Sequence, residues 1–316
     1  DLVMVAPASA NIIAKMAHGI ADDMLSTTVL ACRCKKLVAP AMNTNMYENP
    51  ITQDNLETLR RYGFGIIDPA VGMLACKDVG AGKLPKEELL YNHILQEILY
   101  PKDLAGKKVL VTAGPTCEPV DPVRIYTNRS SGKMGYALAR ECSLRGADVT
   151  LVTGKTALEP WPFVKVVPIE TAQQMFDEVT SRAPEMDIII KAAAVADYRP
   201  KTVADQKLKK GDGEFTLAFE RTQDILKTLG ERKPQGQFLC GFSMETENML
   251  ENSQAKLTKK NADMIVANNL KVAGAGFAGD TNVVTIITRD GVRELPLMSK
   301  QEVAHQIVSE IVSRLG

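Results

Sequence analysis

The amino-acid sequence lacks the features of several common protein classes. Its 38 basic and 38 acidic residues give no net charge, so bulk charge favours neither a nucleic acid nor an acidic membrane surface as a partner. No stretch approaches the ~20 apolar residues that a membrane-spanning helix needs. We therefore expect neither a nucleic-acid partner nor a membrane partner, and any recognition of phosphate must be local.

Paired metal-binding cysteines are lacking as well. The six cysteines are scattered, and the closest two, Cys32 and Cys34, have a single residue between them, which is too few for a zinc knuckle. The pattern indicates reduced cysteines in a cytoplasmic protein. An initiator methionine is also absent, and the chain opens at Asp1 directly on an apolar strand. We therefore expect the N-terminal portion of a longer protein to be missing.

A regular alternation of strands and helices is what the sequence does contain. With 316 residues and 45% hydrophobic content, the chain is long enough for two domains with real cores. Short apolar strands alternate with amphipathic helices over residues 1–99 and again over 107–316, and residues 100–106 read as a linker. This alternation predicts an α/β fold with two Rossmann-like parallel-sheet domains. Near the C-terminus, Asp290-Gly291 predicts a β-hairpin with a type I′ turn.

The most informative segment is Asn128–Gly135, a loop rich in glycine, serine and asparagine. It enters a helical pattern, so its backbone N–H groups and the positive end of a helix dipole can face a phosphate. It matches neither G-x-G-x-x-G nor the P-loop motif, which argues against a nicotinamide oxidoreductase and against a P-loop protein. The segment predicts a nucleotide or phosphate site of a less common kind.

Three further segments of the second half carry polar side chains. Ala192–Asp197 follows the predicted strand Asp187–Lys191, at the end where ligands of open α/β sheets bind. There, Asp197 is either a ligand for a ribose, a base edge or hydrated Mg²⁺, or the cap of a helix. The basic cluster around Lys207 is either a solvated loop or a phosphate contact. Lys256 and Lys260 share one helix face, where their repulsion favours an anion between them.

Together these motifs resemble phosphopantothenate–cysteine ligase, from Leu104 to the C-terminus. The motifs that carry the resemblance follow one another in the family's order: Ala113-Gly114-Pro115-Thr116, Asn128–Gly135, Ala192–Tyr198, Lys207, Gly241-Phe242 with Glu245-Thr246, Lys256 with Lys260, and Phe277 with Asp280 and Asn282. The resemblance implies that the carboxylate of 4′-phosphopantothenate attacks the α-phosphate of CTP to give an acyl-cytidylate. The amine of cysteine then displaces CMP. Charge developing at phosphorus requires Mg²⁺ and lysines.

The resemblance also implies roles for individual residues. Asn128 would hold the acyl-cytidylate, Lys207 would stabilise charge on the phosphates, and Asp197 would hold the Mg²⁺. The implied CTP site consists of Ala192, Ala193, Asp197, Lys207, Thr222, Asp224, Phe242, Lys256 and Lys260. In this chain Arg221-Thr222-Gln223-Asp224 stands where the family has Lys-x-Pro-Asp, so the preference for CTP over other pyrimidine nucleotides stays open.

The first half carries motifs of another kind. Ser9-Ala10-Asn11 follows the first strand, Asn43 follows the second, and Cys76 lies in a glycine-punctuated loop. Read alone, Cys76 is a loop thiol without a role. Together with Gly19–Asp23, these motifs resemble the flavin-dependent cysteine decarboxylases, which have a flavodoxin-like fold.

That resemblance implies the oxidative decarboxylation of phosphopantothenoylcysteine to 4′-phosphopantetheine. FMN would bind at Ser9, Ala10 and Asn11. Asn43 would bind the substrate carboxylate, and Cys76, with a tuned pKa, would be the proton donor.

Two departures from the decarboxylase pattern are visible. Lys77 replaces a glycine after Cys76, and the family's histidine base lies upstream of the strand at which this chain begins. We therefore expect the decarboxylase domain to be N-terminally incomplete and its activity in this chain to be weak or absent. The alternative is an active ligase whose first half is only a flavin-binding or oligomerisation module. The family implies ligase dimers and decarboxylase trimers.

Overall fold

The structure, a computed structural model, describes residues 1–73, 79–209, 215–245, 249–269 and 279–315. It divides into two compact units, Asp1–Pro101 (unit 1) and Lys102–Gly316 (unit 2). Within the described ranges, none of the helices has the length and apolar character that crossing a bilayer requires.

Unit 1 is a small α/β unit with a hairpin. Its elements are β1 (Leu2–Ala8), α1 (Ala10–His18), α2 (Met24–Ala31), β2 (Lys35–Pro40), α3 (Thr44–Tyr47), α4 (Pro50–Arg61), β3 (Gly65–Ile66), β4 (Ala70–Met73), β5 (Val79–Lys83) and α5 (Glu87–Ile98). Strands β1, β2 and β3 form a parallel sheet in that order, and β4 pairs with β5 in an antiparallel hairpin. The third strand of this sheet, β3, spans two residues only.

Helix boundaries in unit 1 follow from capping. The Oγ of Ser9 accepts a hydrogen bond from the backbone N–H of Ile12 at the start of α1, and Gly19 ends the helix with φ 69°. Asn49 caps α4, with Pro50 at the first helical position, where proline's missing N–H costs nothing. The apolar face of α1 is buried together with residues of β1, β2 and α4.

Unit 2 is built around one large sheet. Its elements are β6 (Lys108–Ala113), β7 (Cys117–Pro119), β8 (Ile125–Thr127), α6 (Lys133–Leu144), β9 (Asp148–Thr153), β10 (Lys165–Pro168), α7 (Ala172–Arg182), a 3₁₀ turn (Ala183–Glu185), β11 (Ile188–Lys191), β12 (Tyr198–Pro200), β13 (Phe219–Arg221), α8 (Ile225–Arg232), β14 (Phe238–Glu245), α9 (Met249–Lys259), β15 (Met264–Asn269), β16 (Thr281–Asn282), β17 (Val284–Thr288), β18 (Val292–Glu294), β19 (Met298–Ser299) and α10 (Lys300–Val312).

The strand order of the large sheet is β10-β9-β6-β11-β14-β15-β17-β18. The first six strands are parallel, and β17 and β18 form an antiparallel edge. The chain runs outward from β6 to β9 and β10, and then crosses to the other side of β6 to form β11. The sheet therefore has a topological switch point between β6 and β11, where open α/β sheets bind ligands beyond the carboxyl ends of their strands. The predicted α/β class is confirmed.

Helices cover both faces of this sheet because its central strands are apolar on both sides. Residues of α6 and α10, such as Leu138 and Ile307, pack with Val111 and Ile190 in one core. On the opposite face, residues of α7, α8 and α9 pack with alternate strand residues such as Ile189. We call these two sides the α6 face and the α9 face.

Three local features differ from the sequence-based expectations. Asp103 and Leu104, within the segment that reads as a linker, belong to unit 2: Leu104 is fully buried, and Asp103 forms a two-pronged ion pair with Arg145. The hairpin β17–β18 is present. However, its connection has three residues, and Gly291 is not among the glycines with positive φ, so the type I′ prediction is wrong. A short hairpin, β7–β8, lies inside the long loop after β6.

Helix α6 lies unusually close to β6 because residue 135 is glycine. A Cβ at Gly135 would lie 2.5 Å from the Cβ of Ala113 and 2.9 Å from the backbone oxygen of Thr112. Neither atom can rotate away. The glycine therefore fixes how near the first turn of α6 comes to the end of β6.

We expect Gly135→Ala to destabilise unit 2 by about 1–3 kcal/mol, because the cost of overpacking exceeds the ~1 kcal/mol that alanine gains over glycine in a helix. The measurement is urea unfolding followed by the fluorescence of Trp161, the single tryptophan. The matched control is Gly291→Ala, where a Cβ would meet no atom within 4 Å. Equal stability of the two variants would contradict the expectation.

Candidate functional site at the switch point

A cavity of about 350 Å³ lies at the switch point of unit 2. It is bounded by the loop before α6, the segment after β11, the ends of β14 and β15, and the start of α10. Its lining residues are Asn128, Ser130, Ser131, Gly132, Lys133, Met134, Gly135, Ala192, Ala193, Ala194, Asp197, Phe242, Ser243, Met244, Asn268, Asn282 and Lys300. The predicted residues Asn128, Ala192, Ala193, Asp197 and Phe242 are thus brought together.

The segment after β11 is held against the segment after β6 by backbone hydrogen bonds. The N–H of Ala194 donates to the backbone oxygen of Gly114 (2.9 Å), and the N–H of Thr116 donates to the oxygen of Ala194 (3.2 Å). The side chain of Asn128 donates to the same Ala194 oxygen (3.1 Å). Asn128 is therefore oriented by the floor of the cavity, a precondition for holding a ligand in one geometry.

The N-terminus of α6 opens toward the cavity. Gly132, the residue before the helix, has φ 79° and provides no side-chain cap. Ser130, Ser131 and Gly132 all line the cavity, so backbone N–H groups of the first turn and the positive end of the helix dipole lie beside it. This arrangement suits an anionic group, as the sequence predicts for the Asn128–Gly135 loop.

Charged residues on the α9 face form a second cluster next to Asp197. Asp224 caps α8, accepting from the N–H of Lys227 (2.9 Å), and also pairs with the Nζ of Lys260 (2.5 Å). Burial opposes ionisation of Asp224, but these hydrogen bonds outweigh it, so its pKa lies below the usual range. The Nζ of Lys256 lies 3.4 Å from the backbone oxygen of Phe242.

Lys191, the last residue of β11, adds a third cation to this cluster. Burial, and to a smaller extent the charge of Lys256, lower the pKa of Lys191 to about 8, although Asp224 and Asp197 act in the opposite direction. Three lysines and two carboxylates therefore lie within electrostatic reach at the carboxyl end of the sheet. Such an excess of positive charge favours a polyanion.

The remaining predicted residues of unit 2 occupy other positions. The hydroxyl of Thr222 donates to the backbone oxygen of Ala196 (2.6 Å), so Thr222 supports the segment that carries Asp197. Lys207 is exposed on a loop whose next residue, Leu208, donates its N–H to Asp121 (3.1 Å). It does not line the cavity. Phe277 and Thr246 lie outside the described residues.

Asp197 is exposed at the cavity mouth, in a segment that continues into β12 rather than a helix. The interpretation of Asp197 as a helix cap is therefore wrong. Among the residues that the structure describes, no three His, Cys, Asp or Glu side chains are grouped as a metal site would require. A Mg²⁺ at Asp197 would thus depend on phosphate oxygens for further ligands, as is usual for this ion.

Several lining residues were not found by sequence reasoning. These are Lys300 and Asn268, which face the cavity, and Lys191, which belongs to the neighbouring cluster. Lys133 and Asn282 also face the cavity; they belong to motifs named in the sequence analysis but received no individual role there. Lys300 follows Ser299, which forms a capping box with Glu302, and this signal predicts only where α10 begins. The packing of α10 beside α6, which no local pattern encodes, brings Lys300 to the site.

In unit 1, the predicted flavin-binding residues lie at the start of α1. Ser9 is the helix cap, and Ala10 and Asn11 form the first turn, with Ser9 and Asn11 exposed. Asn43 caps α3 and accepts from the N–H of Asn45 (2.9 Å). The hairpin β4–β5 lies directly against this segment. The contact is so close that a Cβ on Gly82 would lie 2.2 Å from the backbone oxygen of Met42. Cys76 lies outside the described residues.

An open, mainly parallel sheet with an anion-attracting cavity at its switch point defines an α/β ligand-binding protein joined to a second α/β unit. Comparison with known proteins is more specific. Residues 104–315 match the family model described as DNA/pantothenate metabolism flavoprotein C-terminal domain, and residues 1–99 match the model described as Flavoprotein. The chain belongs to the family of bifunctional coenzyme A biosynthesis proteins.

The similarity extends to individual relatives and to a solved structure. The Coenzyme A biosynthesis bifunctional protein CoaBC of Bacillus subtilis is 49% identical over 99% of this chain and 78% of the relative. A cysteine/cysteine sulfinic acid decarboxylase from an unknown prokaryotic organism is 42% identical over 99% of this chain and 89% of the relative. The crystal structure of a CoaBC C-terminal domain aligns with a TM-score of 0.58 at 47% identity, covering 68% of this chain and 98% of that one.

The depressed pKa of Lys191 predicts a pH dependence of stability. Between about pH 8 and its ordinary value of 10.5, Lys191 is neutral in the folded state and protonated in the unfolded state, so its contribution to stability rises with pH. Below pH 8 its buried charge is unfavourable.

We therefore expect Lys191→Met to be more stable than the wild type at pH 7, with the advantage shrinking by about 1–3 kcal/mol as pH approaches 10. Urea unfolding at several pH values measures this. The control is Lys108→Met. Lys108 is half-exposed and lies at the amino end of β6, away from the carboxyl ends where Lys191 lies, so this variant should show no such trend. A constant difference between Lys191→Met and the wild type would contradict the pKa assignment.

Proposed function

We propose that unit 2 joins 4′-phosphopantothenate to cysteine with CTP as the activating nucleotide, and that unit 1 belongs to the part of the protein that performs the FMN-dependent decarboxylation of phosphopantothenoylcysteine. Both reactions belong to coenzyme A biosynthesis. The observation that carries the proposal is the meeting of two anion-attracting regions at the switch point. One is the start of α6, and the other is the lysine cluster of the α9 face. A reaction between a phosphorylated acid and a nucleoside triphosphate needs two such regions side by side.

The α9 face suits the triphosphate of CTP. Lys256 and Lys260 lie one helical turn apart, and Lys191 approaches from the end of β11. Each lysine can donate charge-assisted hydrogen bonds to phosphate oxygens, and together they would neutralise negative charge that develops during transfer. The carboxylate of Asp224 already pairs with the Nζ of Lys260 and accepts a hydrogen bond at the N-terminus of α8. We therefore assign Asp224 to positioning Lys260 rather than to base recognition.

The carboxylate substrate would lie in the cavity on the α6 face. Its carboxylate oxygen attacks the α-phosphorus, the bond from phosphorus to pyrophosphate breaks, and pyrophosphate leaves with its electron pair. The amine of cysteine then attacks the acyl carbon, CMP leaves, and the amine gives up a proton. Asn128, oriented by its hydrogen bond to the Ala194 oxygen, would hold the acyl-cytidylate. Lys207, exposed on its loop, would approach the phosphates from outside the cavity.

Asp197 is the residue we assign to Mg²⁺. It is exposed where the cavity adjoins the α9 face, and the charges of Lys191 and Asp197 already interact. Mg²⁺ binds through one or two carboxylates together with substrate phosphates. When bound, the ion supplies Lewis-acid stabilisation of charge on the triphosphate. Thr222 would fix the segment on which Asp197 lies through its hydrogen bond to Ala196.

The residues at the start of α1 fit the phosphate of FMN. Exposed Ser9 and Asn11 flank the first turn of a nine-residue helix, which offers backbone N–H groups and a hydroxyl. FMN, when bound, supplies the two-electron oxidation of the substrate thiol that precedes loss of CO₂. Asn43 would bind the substrate carboxylate from the loop beneath β5, and Cys76 would return a proton to the product. These roles stay predictions.

The ligase proposal predicts that the purified chain releases pyrophosphate from CTP with Mg²⁺ and 4′-phosphopantothenate, and that turnover becomes multiple only when cysteine is added. We expect Lys256→Met to raise the KM for CTP about 10- to 100-fold, because one charge-assisted hydrogen bond to phosphate is lost. Lys108→Met serves as the control. Absence of release with CTP, ATP and UTP would refute the proposal, and an unchanged KM would remove Lys256 from the nucleotide site.

The decarboxylase proposal is tested at Asn43. Asn43→Asp keeps the cap of α3, since aspartate caps helices as well as asparagine does, but it places a negative charge against the substrate carboxylate. Because the sequence leads us to expect weak or absent decarboxylation by residues 1–316 alone, the variant is compared with the wild type in a protein that also carries the expected N-terminal portion. There, flavin content and thermal stability should stay unchanged while CO₂ release from phosphopantothenoylcysteine falls at least about 100-fold, by like-charge repulsion in a partly desolvated site. Cysteine, assayed in parallel, separates this substrate from that of the cysteine decarboxylase relative. Unchanged CO₂ release would contradict the role.

A further inference from the structure

A buried carboxylate joins the loop of Lys207 to the hairpin β7–β8. Asp121 lies in the turn of this hairpin, and only 2% of its surface is exposed. Its Oδ1 accepts hydrogen bonds from the backbone N–H groups of Val123 and Arg124, both at 2.8 Å. These two bonds hold the turn itself, and the side-chain oxygen of an asparagine would accept them equally well.

The second oxygen of Asp121 has a different set of donors. Its Oδ2 accepts from the Nε of Arg124 (2.9 Å) and from the backbone N–H of Leu208 (3.1 Å). The guanidinium of Arg124 in turn donates to the backbone oxygen of Leu208 (2.5 Å). Ala204, earlier in the same loop, donates its N–H to the oxygen of Val120 (3.1 Å). The turn does not need the bonds at Oδ2, and only a carboxylate can accept both sets.

The hairpin that carries Asp121 at its turn leads to Asn128 at its base. Strand β8 ends at Thr127, whose hydroxyl donates to the backbone oxygen of Thr116 (2.7 Å). Asn128 follows directly and is hydrogen-bonded to the floor of the cavity. The base of the hairpin is thus fixed at the cavity, while its turn holds the residue next to Lys207. One hairpin therefore connects the two residues to which we assign roles in forming and holding the acyl-cytidylate.

We propose that Asp121 is a positioning residue of the ligase reaction and holds Lys207 at a fixed place relative to Asn128. The inference rests on the proposed function of unit 2 and deepens it. Asp121 does not line the cavity, so it acts through Lys207 rather than on the substrates. A lysine on an untethered loop would be within reach of the triphosphate for only part of the time. Because a small displacement of a charged group costs much of its effect on the transition state, the tie at Leu208 sets how many molecules are competent.

The test is Asp121→Asn, which keeps the acceptor for the turn but turns an amide N–H₂ toward the donors of Arg124 and Leu208. We expect the kcat of pyrophosphate release with CTP and 4′-phosphopantothenate to fall about 10- to 100-fold, while the KM for CTP changes less than about threefold. The matched control is Asp103→Asn, which breaks the two-pronged pair with Arg145 elsewhere in unit 2 and should keep the wild-type kcat. Wild-type kcat in Asp121→Asn would overturn the inference.

A double-mutant cycle separates positioning from a general loss of structure. If Asp121 acts through Lys207, the variant that combines Asp121→Asn with Lys207→Met loses no more kcat than Lys207→Met alone. If the losses of the two single variants multiply in the double variant, Asp121 acts independently of Lys207 and the inference is wrong.

Limited digestion with trypsin gives a readout that does not depend on catalysis. Cleavage after Lys207 requires Leu208 to leave its two hydrogen bonds, so we expect Asp121→Asn to be cut there at least about tenfold faster than the wild type, with peptide masses identifying the site. Asp103→Asn should be cut at the wild-type rate. Equal cleavage of Asp121→Asn and the wild type would overturn the inference. Faster cleavage of Asp121→Asn, without pyrophosphate release by the wild type, would support the tie at Leu208 and refute the ligase function.

Discussion

The parallel pairing of β6 with β11 is the constraint on which the site in unit 2 depends. These two strands are neighbours in the sheet, although the chain forms β9 and β10 between them. The segment after β6 therefore leads to the α6 face, and the segment after β11 leads to the α9 face. A gap opens between them at the carboxyl ends of the two strands. The bridge between Pro115 and Ala194 continues the pairing for one more step and keeps the gap at a fixed width. Asn128 and Ala192–Asp197, which line the cavity, lie on these segments or are hydrogen-bonded to them.

The same strand pairing separates the two anion-binding regions whose ligands the proposed reaction must bring together. Side chains alternate across a strand, so consecutive residues at the end of β11 point to opposite faces. Lys191 belongs to the lysine cluster on the α9 face, whereas Ala192 packs with the core on the α6 face. The carboxyl ends of the central strands therefore lie between two anion-binding regions, one on each face of the sheet. Asp197 and Phe242 lie where the two regions meet, and a reacting phosphorus between them would be reached from both.

Much of this arrangement could be predicted from local patterns. The strand–helix alternation gave the fold class, and the loop before α6 indicated an anion site because glycine and serine precede a helix. Lys256 and Lys260 were found from their spacing. The hairpin β7–β8 was missed because its strands have three residues each, too few for an alternating pattern. Lys300 was missed because a lysine after a serine cap looks like any solvated helix start, and only the packing of α10 against α6 buries it.

The ion pair between Asp224 and Lys260 has a further consequence for the proposed nucleotide region. The carboxylate of Asp224 pairs with Lys260 and accepts from the start of α8, so an anion that binds Lys260 must displace an anchored carboxylate. Small anions such as inorganic phosphate gain little from that exchange, whereas a triphosphate that also reaches Lys191 and Lys256 gains several contacts at once. The carboxylate of Asp224 would therefore outcompete anions that bind Lys260 weakly. In the proposed reaction it would also compete with the pyrophosphate product for Lys260 and so favour its release.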